Sequence, residues 1–339
     1  MVTLKNKEEN MEKRYAKILA TGMYLPEKII TNEELSARYG FDVNQFLSGI
    51  KLRHIAAEDE AASDMAVKAA QEALKKASLS PEEIDLVIMT TDAPDYVTPP
   101  TSPTIAYKLG ATNAGAFDLN AACADSVIGM SVAAQHIMLD ETINNVLVVA
   151  PYAMSKWVDW DNKILAPMLG DGASAVILAK SDEPGYLVST IVSNGQYWDS
   201  YGIYVGTKYP ITKEMVEKKE HLLRFHANFH KYPPDVNYAN WPEVIKKSLK
   251  KAGYEANDLD MVILTQVRLS DIQETLNRLG LPLEKTHWIM NKYGYTGSAC
   301  AFMALDDALR EGKIKKGDLV VFCTSGVGYV MSSALFKWV

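Results

Sequence analysis

The segment "LNAACADSVIGM" (Leu119–Met130) places Cys123 between a strand-like run, Ala116–Leu119, and a helical pattern that opens at Ser126. A thiol at such a junction has two readings. A lone free cysteine is usually a small apolar core residue. At the start of a helix, however, the backbone amides favour a thiolate, lower its pKa and can donate to an oxyanion, which suits attack on a carbonyl carbon. Cys300 and Cys323 lack that setting and read as core residues. Three cysteines without CxxC spacing predict neither a disulfide framework nor a zinc site. Among the histidines, His54, His136 and His287 read as structural. His226 and His230, in "EHLLRFHANFHKYPP", are four apart and would share one face of a helix. No carboxylate ligand accompanies them, so no metal is expected; the pair reads either as a solvated face or as a substitute base folded over Cys123.

The elements that must hold these residues alternate in type. "DLVIMTT" (Asp85–Thr91), "NVLVVAP" (Asn145–Pro151), "SAVILAK" (Ser174–Lys180), "DMVILTQ" (Asp260–Gln266) and "DLVVFCT" (Asp318–Thr324) are short, β-branched runs of the kind covered on both faces. Amphipathic stretches separate them, such as Ser63–Ala77, with Ser63 as its N-cap. This alternation predicts α/β layers. The chain also repeats itself: "ALKKASLSPEEIDLVIMTT" from Ala73 matches "SLKKAGYEANDLDMVILTQ" from Ser248, an offset of 175 residues that carries the Cys123 loop onto the loop around Ser298. Two similar halves follow, one spanning 16–183 with the nucleophile and one spanning 184–339, divided near "SDEPG" (Ser181–Gly185), after a charged and disordered lead over 1–15. A stretch of about 197–240, rich in Tyr, His and Lys, has no counterpart in the first half and reads as an insertion that covers a site.

Composition narrows the partners. The 339 residues carry a net charge of −7 with no basic stripe, which argues against nucleic acid. The apolar runs are shorter than the roughly 18 residues needed to cross a bilayer, so no membrane partner is expected. The lead has no apolar stretch of a secretory signal, and the sparse thiols fit a reduced, cytoplasmic protein. The Gly-rich "GDGAS" and "SGVGYV" do not give GxGxxG between a strand and a helix, so a dinucleotide-dependent oxidoreductase is disfavoured.

Five blocks in order, "ILATGMYLPEKIITNEEL", "GIKLRHIAA", "FDLNAACADS", "LGDGASAVIL" and "YGYTGSACAFMALDDALREGKIKKGDLVVF", resemble those of the thiolase superfamily, specifically its ketoacyl-acyl-carrier-protein synthase III branch. The resemblance covers nearly the whole chain from about Ala16. It implies a five-layered αβαβα fold of two duplicated halves, a homodimer, and acyl transfer from a thioester through Cys123. It implies no cofactor beyond the acyl-CoA or acyl-carrier-protein substrate. Ser298 is the second-half equivalent of the nucleophile, and Gly326 and Gly328 match close-packing and oxyanion-loop glycines.

The departures from the pattern are chemical. Where the family has a catalytic His, "TQVR" places Thr265; where it has an Asn, "GYTGS" places Tyr295. Gln266, Gly294 and Thr296 match, so the alignment is in register. Thr is no general base near neutral pH, and Tyr295 offers a single donor. Three readings follow. The chain passes an acyl group from Cys123 to a nucleophile other than an enolate; or it condenses carbon with carbon using a rebuilt set that includes Thr265 and Tyr295; or it is a catalytically weak or structural subunit that needs a partner chain. The family's adenine clamp is replaced by Val43 and Leu47, while Lys163 stands for a cation near the phosphates. The carrier-docking helix corresponds to Leu269–Gly280, whose Asp271 and Glu274 face only Arg278. Thr98 takes the place of an apolar residue that the partner subunit inserts in the acyl pocket, which implies a roomier or more polar pocket.

Overall fold

The computed structural model describes residues 13–339. The first half contains β1 (Tyr15–Tyr24), β2 (Lys28–Thr31), α1 (Asn32–Tyr39), β3 (Leu52–Ile55), α2 (Ala62–Ala77), β4 (Leu86–Thr90), α3 (Ser102–Leu109), β5 (Gly115–Leu119), α4 (Asp125–Leu139), β6 (Asn145–Tyr152) and β7 (Gly172–Ser181). The second contains β8 (Tyr186–Ser193), β9 (Tyr201–Gly202), α5 (Lys213–Glu217), β10 (Arg224–Phe225), α6 (Val236–Ala252), β11 (Met261–Leu264), α7 (Leu269–Leu279), α8 (Met290–Tyr293), α9 (Cys300–Arg310), β12 (Leu319–Gly326) and β13 (Val330–Lys337).

The β-branched runs form two sheets, ordered β1-β7-β6-β4-β5 and β8-β13-β12-β11. In each, a parallel pair (β4 with β6, β11 with β12) continues into antiparallel strands. Helices α2 and α3 cover the outer face of the first sheet and α6 and α7 that of the second, while α4 and α9 lie between the sheets. The order is αβαβα, the architecture expected from the sequence resemblance. β4 and β11 are buried along their whole length, because both faces meet helices. The alanine face of α2 (Ala62, Ala66, Ala69, Ala73) lets it lie so close to β1 that a Cβ on Gly22 would stand 2.2 Å from the Ala69 carbonyl oxygen.

The duplication is unequal. The stretch corresponding to β5 is not a strand in the second half. It folds as α8, and Thr286 keeps only a single parallel bridge to Val262. The halves join in the turn between Ser181 and Tyr186. There the Lys337 amide donates to the Gly185 carbonyl at 2.7 Å, and a Cβ on Gly185 would stand 2.7 Å from the Ala16 carbonyl oxygen.

Four sequence expectations change. Residues 1–12 of the lead lie outside the described residues, but Tyr15 already pairs with Ser181, so the lead does not extend to 15. Ser63 lies inside α2; its cap is Ala61, whose amide donates to the Asp64 carboxylate at 2.9 Å. His226 and His230 do not share a helix, because β10 ends at Phe225 and a short 3₁₀ turn covers Phe229–Lys231. Finally, Ala122–Leu139 is long and apolar enough in composition to cross a bilayer, but it is the core helix α4 with its preceding turn, packed between the two sheets.

Candidate active site

Strands β4 and β5 are parallel neighbours, with Thr90 opposite Leu119. The carboxyl ends of such strands are where open α/β sheets place their ligands. Just beyond them stand Asp92, two residues after β4, and Cys123, four residues after β5. The Cys123 loop is tightly held. Asn120 Oδ1 accepts the Ala122 amide at 2.9 Å, Ala122 is in the left-handed region (φ +49°), and the Asp125 amide returns to the Ala122 carbonyl at 2.9 Å to open α4. Gly326, at the end of β12, seals this loop from the second half: an added Cβ would stand 2.3 Å from the Ala121 carbonyl oxygen and 3.1 Å from the Ala124 amide nitrogen.

Cys123, Thr265 and Tyr295 line one cavity of ≈ 950 Å³, as do Gly326 and Gly328. Thr265 follows β11, and its Oγ1 accepts the Ser325 amide at 3.0 Å. Tyr295 is pinned through its backbone, its carbonyl accepting the Gly170 amide at 2.8 Å. Gly294 before it takes φ +78° and lies against Leu52 and Arg53, where a side chain has no room. Tyr152 lies beside Tyr295, ring centroids 6.4 Å apart, and also lines the cavity. The insertion supplies a further wall: Trp198, Tyr201, Phe229 and Tyr232 line the cavity, with Phe225 and Phe229 rings 4.2 Å apart. His230 lines it too, but its side chain is exposed and its Nδ1 is bonded to the Ala227 carbonyl at 3.0 Å.

The electrostatics differ from the sequence expectation. Helix amides were expected to lower the Cys123 pKa; instead the thiol is pushed well above its ordinary value, first by burial and then by the Asp92 carboxylate, with the Tyr295 hydroxyl opposing. Burial likewise raises Tyr152, Tyr201 and Tyr295, so these phenols stay protonated donors. Asp92 itself is pushed up to about 6 by burial.

Other expected residues stand elsewhere. Gln266 is buried outside the cavity lining; its Nε2 donates to the Leu264 carbonyl at 2.8 Å and its Oε1 accepts the Ile289 amide at 2.8 Å, so it braces the Thr265 turn. Ser298 is also buried outside it, its Oγ donating to Asp125 Oδ2 at 3.1 Å. Lys163 donates to the Tyr39 carbonyl at 3.1 Å and lies 5.9 Å from the exposed Phe41 ring, next to the lining residue Ile164. Thr98 is exposed on the loop after β4, outside its own chain's cavity. Val43 is fully buried in a small cluster with Leu35 and Tyr39, which leaves no face for a ring to stack on.

His287, Asp307 and Glu311 come within 4.8 Å of one another in the manner of a metal-ligand set. Their atoms already have partners. Lys292 contacts Asp307 and Glu311 at 2.7 Å each, and the Lys313 amine lies 2.9 Å from His287 Nδ1. The cluster is a charge network made of the protein's own cations.

The 3-oxoacyl-[acyl-carrier-protein (ACP)] synthase III model matches residues 117–195, and the model of its C-terminal part matches residues 249–338. A beta-ketoacyl-[acyl-carrier-protein] synthase III of Methylococcus capsulatus is 34% identical over 327 residues, 96% of this chain and 99% of the relative. The chain belongs to the synthase III family. Its fold agrees with that of 3-oxoacyl-[acyl-carrier-protein] synthase III from Aquifex aeolicus, with a TM-score of 0.85 at 30% identity over 95% of this chain and all of that one. It agrees equally with the priming beta-ketosynthase of the R1128 polyketide biosynthetic pathway, with a TM-score of 0.87 at 29% identity over 98% of this chain and 99% of that one.

Within this family frame, motif reading missed three groups of the site. Asn237 and Ser325 are joined at 2.8 Å, and Asn237 donates on to Asp271 at 2.7 Å, where Arg268 also binds; Asn237, Ser325 and Arg268 line the cavity. Tyr152 ends a strand read only as core. Asp92 lies in "TTDAPD", and its position past a strand end was the signal available for it.

Proposed function

We propose that Cys123 accepts an acyl group from a CoA or carrier-protein thioester and passes it to an acceptor other than an enolate. The observation that carries this reading is the company of the thiol. Among its cavity neighbours are Thr265, Tyr295 and Asp92, and the one histidine on the lining among the described residues is exposed at a loop and engaged with a backbone carbonyl. A thioester exchange needs a nucleophile, a donor for the oxyanion and a proton acceptor. It does not need a group to hold a decarboxylation-born enolate. The Cys123 sulfur attacks the thioester carbon, the oxyanion collapses, and the donor thiol leaves with the proton the cysteine gave up. Gly326, packed on the nucleophile loop, is the position from which a second backbone amide would reach the oxyanion. The enzyme would work in the cytoplasm as a homodimer, with no cofactor beyond its thioester substrate.

The family name favours a second reading, carbon–carbon condensation. It would rest on Thr265, whose hydroxyl oxygen is bonded to Ser325, and on Tyr295. One experiment separates the two. Intact-mass measurement after incubation with acetyl-, malonyl- and longer acyl-CoAs should show a mass gain on the wild type that is absent in Cys123→Ala. Addition of malonyl-CoA to the loaded enzyme should release no 3-oxoacyl product. A 3-oxoacyl product would establish condensation, and no gain from any CoA or carrier-protein thioester would overturn acyl transfer.

A further inference from the structure

We propose that Asp92 is the base of this site, the carboxylate that takes the proton of the attacking group and favours a neutral protic acceptor: an alcohol, amine, thiol or water. The inference rests on the acyl-transfer reading above and names what completes it.

Three observations converge on Asp92. The topology sets it and Cys123 at the adjacent carboxyl ends of paired parallel strands, and both line the same cavity. Its Oδ1 is buried and has no hydrogen-bond partner among the described residues, although a buried carboxylate oxygen ordinarily has one. The turn that carries it is fixed independently, the Ala93 amide donating to Thr91 Oγ1 at 3.1 Å and the Thr91 amide to the Leu119 carbonyl at 3.3 Å. The fold therefore leaves this carboxylate oxygen unpartnered in the cavity of the nucleophile, and the turn is held by other groups.

Its desolvated place leaves it poised near neutrality. Burial raises Asp92 to about 6. Its charge is felt at Asp125 on α4, Tyr152 at the end of β6 and Tyr201 on β9, and Tyr295 after α8 lines the same cavity; each is pushed well above its ordinary value first by burial. Arg268, a cation on the lining, is paired with Asp271 at 3.0 Å. Asp92 and Cys123 are desolvated together, so the pair holds one negative charge and one shared proton in preference to two charges.

The step balances with that single proton. During loading, Asp92 takes the Cys123 proton as sulfur bonds to the thioester carbon, and returns it to the departing thiolate. During transfer, it takes the proton of an acceptor O–H, N–H or S–H as that atom bonds to the acyl carbon, and returns it to the Cys123 sulfur as the C–S bond breaks. A malonyl group would bring a second carboxylate against Asp92, which repels it; a neutral protic acceptor meets no such barrier.

The test compares wild type with Asp92→Asn in two arms. In the first, Cys123 is alkylated with iodoacetamide from pH 5 to 9, with Cys123→Ala as blank. A shared proton makes the wild-type thiolate fraction independent of pH above about 6, so its rate should level off. Asp92→Asn should lose the plateau, climb about tenfold per pH unit, and react about tenfold faster than wild type at pH 7. In the second arm, Cys123 is loaded from acyl-CoA, the donor is removed, and loss of the acyl mass is followed with water and ethanolamine as probe acceptors. Asp92→Asn should transfer more slowly by about 10²-fold or more. A faster alkylation beside a slower transfer is a signature that a merely structural role would not produce. The inference is overturned if the two alkylation profiles have the same shape, or if Asp92→Asn transfers as fast as wild type. A wild type that takes no acyl group from any donor would overturn the transfer reading itself, separately from the alkylation result.

Discussion

Gly326 works at the smallest scale, as an atom that is not there. With a Cβ it would push on Ala121 and Ala124, the residues flanking the nucleophile turn, and Ala122 between them already sits at a positive φ that non-glycine residues avoid. Gly326→Ala should cost about 1–3 kcal/mol of stability, read as a lower urea midpoint. It should slow acyl loading on Cys123 by on the order of 10²-fold, because displacement of a reacting atom by about 1 Å is enough for that. The chemistry-bearing residues were unequally legible. Cys123, Thr265 and Tyr295 follow from motif and register, and the structure brings them to one cavity. Gln266 and Ser298 matched by register too, but register says nothing about direction: one side chain turns to backbone partners and the other to Asp125. The direction of the Cys123 pKa was misjudged because helix amides are a local feature, whereas burial and the Asp92 charge come from elements distant in sequence.

Among the elements, α8 and α9 are joined by the charge network on Asp307. Burial pushes that carboxyl up, but hydrogen bonds from Lys292, His287 and Tyr293 outweigh it and hold the group at about 2. Burial lowers the His287 pKa, with the Asp307 bond opposing. Both folded values lie below their unfolded ones, so each group stabilises the fold at high pH and that stabilisation is lost as pH falls, for His287 below its ordinary range near 6.5 and for Asp307 between about 4 and 2. Asp307 contributes on the order of 2 kcal/mol at neutral pH. Asp307→Asn should therefore lower the urea midpoint at pH 7 and flatten its decline toward pH 3; an unchanged acid slope would show that the network carries no net stability. The sequence pattern showed the strands and the main helices, because their periodicity is local. It misplaced the α2 cap by naming Ser63, since Ala61 is the cap and the side chain three residues after it, Asp64, supplies the bond. It also could not show that β5 has a helical counterpart, since the repeat preserves residues better than it preserves pairing.

At the scale of the molecule, the αβαβα layering followed from the internal repeat and the family blocks, and the insertion's place over the cavity followed from its lack of a counterpart. The outer loop after β4 is left open by its own chain. Val97 is 92% exposed there, with Tyr96 and Tyr107 also exposed. Exposed apolar side chains of this size mark an interaction site where they adjoin one another. Sedimentation should give twice the 37.5 kDa of one chain, and Val97→Glu should return it toward that single mass. A wild type that sediments as one chain would remove the homodimer and, with it, any part for Thr98 in a neighbour's pocket.

The turn at Gly185 touches both the first strand and the last. The peptide linking the two halves therefore lies beside the two ends of the folded body, and the interface between the sheets is made by α4 and α9 without its help. The order in which the halves follow one another is a fact about the gene more than about the fold. A fusion of the same two units in the opposite order would need only a short bridge at that same corner.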